Sequence, residues 1–243
     1  MPRLVQLVVF VISPERDFEG YLKLAKQFPK SVLNSELKKI YPELIQDEDV
    51  DSVKKLLFSQ FDAQKEFIEK HTAGVEKLWL NIEETFSNLS HDAHPQFHLH
   101  KQHVAYPTLL SHFIRDLDKG ALSFPIHKPP KHGVFVICHE LLHFLFFDYL
   151  TAHYPELRKK EAENLVWAFS EVLNVLIQEQ EQWVALTGIT PSYYPQQKEL
   201  YDLMRPYWLK EKNIDLLIHE FLIAPPQSVT IDVVSGVVDR NIR

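Results

Sequence analysis

The chain has 243 residues, 45% hydrophobic and 24% charged, with a formal net charge of −7; this balance suits a folded protein and excludes disorder over most of the length. The acid excess argues against a surface built for polyanions, so nucleic acid is not an expected partner. Cys138 is the only cysteine, which excludes an internal disulfide and a cysteine-based structural zinc site, and the six glycines form no phosphate-cradling G-x-x-x-x-G-K-[ST] or G-x-G-x-x-G loop.

The elements follow from the hydrophobic spacing. Met1 to Ile12 holds one arginine and then an apolar run, too short and lacking the small-residue cleavage site of a secretory signal. Leu4 to Val11 is expected as a buried strand ended by Pro14. With a lone cysteine, a cytoplasmic location is the expectation. Asp17 to Phe28 reads as a short helix stopping before Pro29, and Ser31 to Glu43 as a weaker helical stretch interrupted by Pro42. From Asp47 to Leu89, apolar residues at Val53, Leu56, Leu57, Phe61, Phe67, Val75, Leu78 and Ile82 recur mostly at threes and fours, predicting a long helical region with Gly74 as its break. Between His91 and Leu110, alternation over Gln96–His100 and the run Val104–Pro107 predict one or two short strands, and Ala121–Ile126 another.

The loop Lys128–Gly133 then leads into three helical stretches, roughly 134–151, 157–182 and 196–223, the last expected to break at Pro206. Pro225-Pro226 closes them, and Val229 to Val234 is a further strand candidate. The apolar stretch Val134–Leu150 is nearly long enough to cross a membrane. It carries His139, Glu140, His143 and Asp148, costly in lipid, so a buried core helix is expected and no membrane span. With no repeat or linker, the expectation is one α+β domain over residues 1–243, mainly helical with a small mixed sheet. Residues 1–90 form an N-terminal strand and helical portion, and 91–243 the catalytic core.

One motif carries chemistry. Residues 139–143 read His-Glu-Leu-Leu-His. Positions i and i+4 of a helix lie on one face a turn apart, so both imidazoles can reach a single ion. Zinc accepts neutral imidazole nitrogen and keeps an open position in catalytic sites. Glu140, about 100° round the helix from His139, can reach a water on the ion without ligating it and so act as general base. Val134–Cys138 before the motif and Phe144–Phe147 after it make the helix apolar all round. Two histidines and a glutamate are costly to bury there without a partner, and a metal removes that cost.

On this motif the chain resembles the zincin metallopeptidases. The resemblance covers the motif helix and, more loosely, the next helix. It implies a zincin-like domain with one zinc ion per chain, a peptide or protein substrate, and hydrolysis by metal-activated water. The metzincin extension H-E-x-x-H-x-x-G-x-x-H does not fit, because Phe146 and Tyr149 stand at its glycine and third histidine. The gluzincin branch, completed by a glutamate from a later helix, remains. Glu171 is the candidate: an antiparallel return of the next helix sets His139 level with about residue 170. Against it, Glu171 flanks the apolar stripe Leu165, Phe169, Val172 and Leu176 rather than lying within it. The expected metal ligands are therefore His139, His143 and Glu171. Asn174 and Asp148 are candidates to orient the imidazoles. The resemblance also implies a downstream donor for the developing oxyanion, for which His219 is favoured and Tyr194 next.

His91, His94, His98, His100 and His103 crowd into thirteen residues. With only Asp92 nearby at ligand spacing, solvated or edge-strand histidines are favoured over a second metal site. By analogy with zincins, the segment Phe97–Tyr106 is expected to be an edge strand able to pair with a bound peptide. The alternative to a peptidase is a non-catalytic zinc-containing binding or regulatory module on a zincin scaffold; the intact Glu140 speaks against it.

Overall fold

A computed structural model describes residues 6–27, 33, 37–42, 49–110, 114–158 and 163–225. The class is α+β: mostly helical, with one small mixed sheet. The chain divides into two compact units, Met1–Asn81 with Lys101–Ile137, and Ile82–His100 with Cys138–Arg243.

The first unit holds the sheet. Strands β1 (Val8–Phe10), β2 (His103–Thr108), β3 (Arg115–Asp116) and β4 (Ala121–Pro125) lie in the order β1-β2-β4-β3. β1, β2 and β4 are parallel and β3 runs antiparallel to β4. β4 is buried throughout and β2 nearly so, as expected where both neighbours of a parallel strand are occupied. Helix α1 (Pro14–Gln27) follows β1. Ser13 caps it, its hydroxyl accepting from the Arg16 amide at 3.2 Å, and Pro14 sits where a missing N–H costs nothing.

Helix α2 (Val50–Ala63) starts at Asp49, whose carboxylate accepts from the Ser52 amide at 2.8 Å. It ends at Gln64, where ψ moves to 12°, and α3 (Lys65–Ala93) begins at once. The expected break at Gly74 is therefore misplaced; α3 runs through it. What Gly74 provides is closeness, since a Cβ there would lie 3.3 Å from the Pro130 ring. A Cβ on Gly133 would likewise come within 3.0 Å of Val75. These two glycines let the first turn of helix α4 (Pro130–His153) cross α3 tightly.

The second unit is built of helices: the latter part of α4, α5 (Glu163–Gln178), α6 (Glu181–Thr187), α7 (Lys198–Glu211) and α8 (Ile214–Ile218), the last running into a π-helical turn, His219–Ile223. The stretch expected as one helix over 157–182 begins instead with a 3₁₀ turn, Pro155–Arg158, and breaks again after Gln178. α7 passes through Pro206 without breaking and ends at Lys212, in the left-handed conformation at φ 45°. Asn213 then caps α8 by accepting from the Leu216 amide at 3.0 Å. Phe146 of α4 meets Phe169 of α5 at 5.6 Å between ring centres. α4 is long and apolar enough to cross a membrane, yet 83% of its apolar window is buried within the protein.

One strand expectation changes. The segment Phe97–Tyr106 is no edge strand: residues 97–102 are irregular, and β2 pairs with β1 on one side and β4 on the other. Its backbone groups are already satisfied, the His103 amide by Leu7 and the Val104 amide by Gly120, leaving no ladder for a peptide to join. The strand candidate Val229–Val234, Leu4 and Val5 of the first strand, and residues 31, 32, 34–36 and 43 of the stretch Ser31–Glu43 lie outside the described residues.

Candidate metal centre

The motif helix α4 carries His139 and His143 on one face, and α5 brings Glu171 to meet them. His143 is fully buried, Glu171 is 6% exposed and His139 is partly buried. Nε2 of His143 lies 3.1 Å from Nε2 of His139. Glu171 spans both, Oε2 at 3.2 Å from His139 Nε2 and Oε1 at 3.3 Å from His143 Nε2. Three ligand atoms from three side chains thus converge within 4.8 Å of one another, a group that could hold a metal ion. Among the described residues it is the one such group of His, Cys, Asp and Glu side chains.

The separations are informative. A tetrahedral site with arms of about 2.0–2.1 Å has edges of about 3.3 Å; each imidazole Nε2 lies at about that distance from a Glu171 oxygen, though from a different oxygen for each ring. The two imidazole nitrogens lie 3.1 Å apart, close enough to share either a proton or a cation. The donor set, two imidazoles and a carboxylate, matches a zinc site that retains one open position. The residues present therefore fit the ion that the motif implies.

In the metal-free cluster the carboxylate and the imidazoles bias each other's charge. Burial alone would raise the Glu171 carboxyl, but the two imidazoles beside it outweigh that and hold it well below its ordinary 4.5. His139 feels the opposite balance: burial pulls its pKa down, and the hydrogen bond and charge of Glu171, helped by Glu140 and Gln178, lift it above 6.5. Glu140, the next residue on α4, is 7% exposed. Cys138 is fully buried with its thiol pushed up by burial, so it adds no thiolate.

α5 addresses His139 at three atoms. Besides Glu171 at Nε2, Asn174 donates from Nδ2 to the His139 backbone carbonyl at 3.0 Å, and Gln178 Oε1 lies 2.9 Å from His139 Nδ1. Residues 171, 174 and 178 fall on one helical face, a polar stripe on a helix buried on all sides from Ala168 to Gln178. The flanking position expected for Glu171 is thus corrected: no face of this part of α5 is exposed, and the flank points at α4. Asn174 does adjoin the motif, but through main chain. Gln178, which contacts the imidazole itself, was not anticipated. Its signal in the sequence is the recurrence of Glu171, Asn174 and Gln178 at threes and fours among valine, leucine and isoleucine. Asp148 is exposed on α4.

Of the oxyanion candidates, His219 opens the π-helical turn with its side chain 63% exposed and Nδ1 3.5 Å from Glu220. Tyr194 is half-buried at the start of a 3₁₀ turn and stacks on Trp167 at 6.3 Å. No protein-family model matches this chain, and no curated protein or solved structure matches it.

Proposed function

We propose that this protein is a zinc-dependent peptidase of the gluzincin kind, holding one zinc ion with His139, His143 and Glu171. The observation that carries the reading is the convergence of these three groups at 3.1–3.3 Å in a water-poor site, with a further carboxylate, Glu140, one residue along the helix. When bound, zinc supplies Lewis acidity toward the substrate carbonyl and toward water. His139 and His143 hold it through neutral Nε2, and Glu171 offsets half its charge.

Glu140 lies outside this ligand set. A site used only to hold structure together needs no such carboxylate, and its place beside the first ligand suits a general base. Its carboxylate takes a proton from the attacking water and returns it to the leaving amine nitrogen. His219 and Tyr194 remain the candidates to donate to the developing oxyanion.

The test pairs metal content with turnover. Untagged parent protein carries one zinc per chain by elemental mass spectrometry and cleaves peptides in a mixed pool. Glu140→Gln retains zinc and loses about 10²–10⁴-fold in kcat, the range for a general acid–base group. A zinc-loaded Glu140→Gln protein as fast as the parent would rule the base role out. A zinc-loaded parent inert on all peptides would favour the non-catalytic zinc module instead.

A further inference from the structure

We infer that Gln178 is the positioning residue that fixes the His139 tautomer and so sets the affinity of the centre for its metal; the inference rests on the zinc reading above. A neutral imidazole has one N–H and one lone pair. With Gln178 Oε1 2.9 Å from Nδ1, the proton sits on Nδ1 and is donated to the amide oxygen, which can only accept. With an ion in the site, Nε2 is then left with its lone pair for the metal, beside His143 and Glu171. In the reverse amide orientation Nε2 of Gln178 would donate to Nδ1, the imidazole proton would move to its own Nε2, and the ring could not ligate.

The cost of placing a glutamine here supports a specific role. Gln178 is 2% exposed, and its Nε2 has no hydrogen-bond partner among the described residues. An unsatisfied buried donor costs about 1–3 kcal/mol. Neighbouring Leu176 and Ile177 are fully buried and carry no such cost, so packing alone would be served better by an apolar side chain. Oε1 of Gln178 is the atom that justifies the residue, through its hydrogen bond with His139 Nδ1.

The affinity test is competition of zinc against a chromophoric chelator for the parent, Gln178→Leu and Gln178→Glu. Gln178→Leu, of similar size without an acceptor, weakens zinc by about 10–100-fold, the usual effect of losing the outer partner of a metal-bound histidine. Gln178→Glu keeps the acceptor and restores the affinity. Separately, long-range ¹H–¹⁵N correlation on the zinc-loaded parent gives the Nδ1–H form of His139, with no proton on Nε2; this measurement needs no variant to fold. Equal zinc affinity in the parent and Gln178→Leu overturns the inference and leaves the zinc reading intact, and an Nε2–H form in the zinc-loaded parent overturns it together with His139 as a ligand through Nε2. A parent that takes up no zinc overturns the zinc reading, and the metal role of Gln178 with it.

Discussion

Two stretches of this chain are rich in histidine, and they behave differently. His139 and His143 sit four residues apart in the middle of a buried helix, with a carboxylate from the facing helix between them. His91, His94, His98, His100 and His103 are denser in sequence but are spread over the end of α3, an irregular segment and β2. His91 faces the Pro95 carbonyl at 3.0 Å and stacks on His98. His94 packs on Tyr149 with Asp215 at 3.7 Å. His98 and His100 are exposed, and His103 is buried in β2. A metal group needs donors whose directions are held by rigid elements and a negative partner within reach. Histidine density provides neither.

The largest effect that could break this comparison is on metal content. His143→Ala or Glu171→Ala removes a ligand, so zinc affinity falls by more than the ~100-fold that loss of an outer partner produces, and chelator competition reads it directly. The paired His98→Asn/His100→Asn protein keeps the parent affinity. Zinc lost from that pair instead would move the centre to the other histidine stretch.

Next in size is a contrast between two buried carboxyls. Asp17, fully buried in the first unit, accepts from the Thr108 hydroxyl and from the Leu109 amide at 2.9 Å. Burial outweighs those two bonds and pushes it up to about 7, against 3.8 when free. Its protonated form is therefore favoured by folding, and that stabilisation is full below about pH 3.8 and lost as pH rises through 7. Glu171 has the opposite sign: its contribution is present above 4.5 and is lost as pH falls through its lowered value. Asp17→Asn should flatten the unfolding free energy of metal-free protein between pH 4 and 7 by up to several kcal/mol, since each tenfold change in proton affinity corresponds to about 1.4 kcal/mol. Urea titrations at a series of pH values would detect it; an unchanged profile would remove Asp17 as the source.

A smaller effect separates the histidines themselves. In metal-free protein His139 should titrate above 6.5, and its stabilisation is full below 6.5 and lost as pH rises through the raised value. His94, lowered chiefly by burial and only partly compensated by Asp215, should titrate below 6.5. Its neutral form is the one folding favours, so acidification through that window costs stability. Histidine ring proton shifts followed by NMR against pH would order the two; the reverse order would contradict the site's electrostatics. Smallest of all, His98→Asn/His100→Asn should leave stability within about 0.5 kcal/mol by chemical unfolding, as exposed substitutions usually do.

Much of the centre was legible in the residues. The spacing of His139 and His143, the carboxylate of Glu140 beside them, and the apolar helix that carries them are all read within one element of 3.6-residue period. Glu171 was reachable too, because a short antiparallel return restricts which residues of α5 lie level with the motif. Gln178 was harder to find, since an isolated glutamine on a helix reads as solvated unless both faces are known to be buried. Two readings misled where neighbours decide: glycine as a helix breaker at Gly74, and the analogy with zincins that made Phe97–Tyr106 an edge strand.

The sequence by itself determined the local matters: that the chain is mainly helical, which helix face bears the two histidines, and that one cysteine and few glycines leave imidazole and carboxylate as the candidate ligands. These depend on contacts within a few residues, where chain geometry is nearly invariant. Only the tertiary structure decided that β2 is paired on both sides, that Gly74 and Gly133 serve a helix crossing, and that Glu171, Asn174 and Gln178 all address His139. Those are relations between elements distant in the chain, and they arise from packing, which no single period in the sequence encodes.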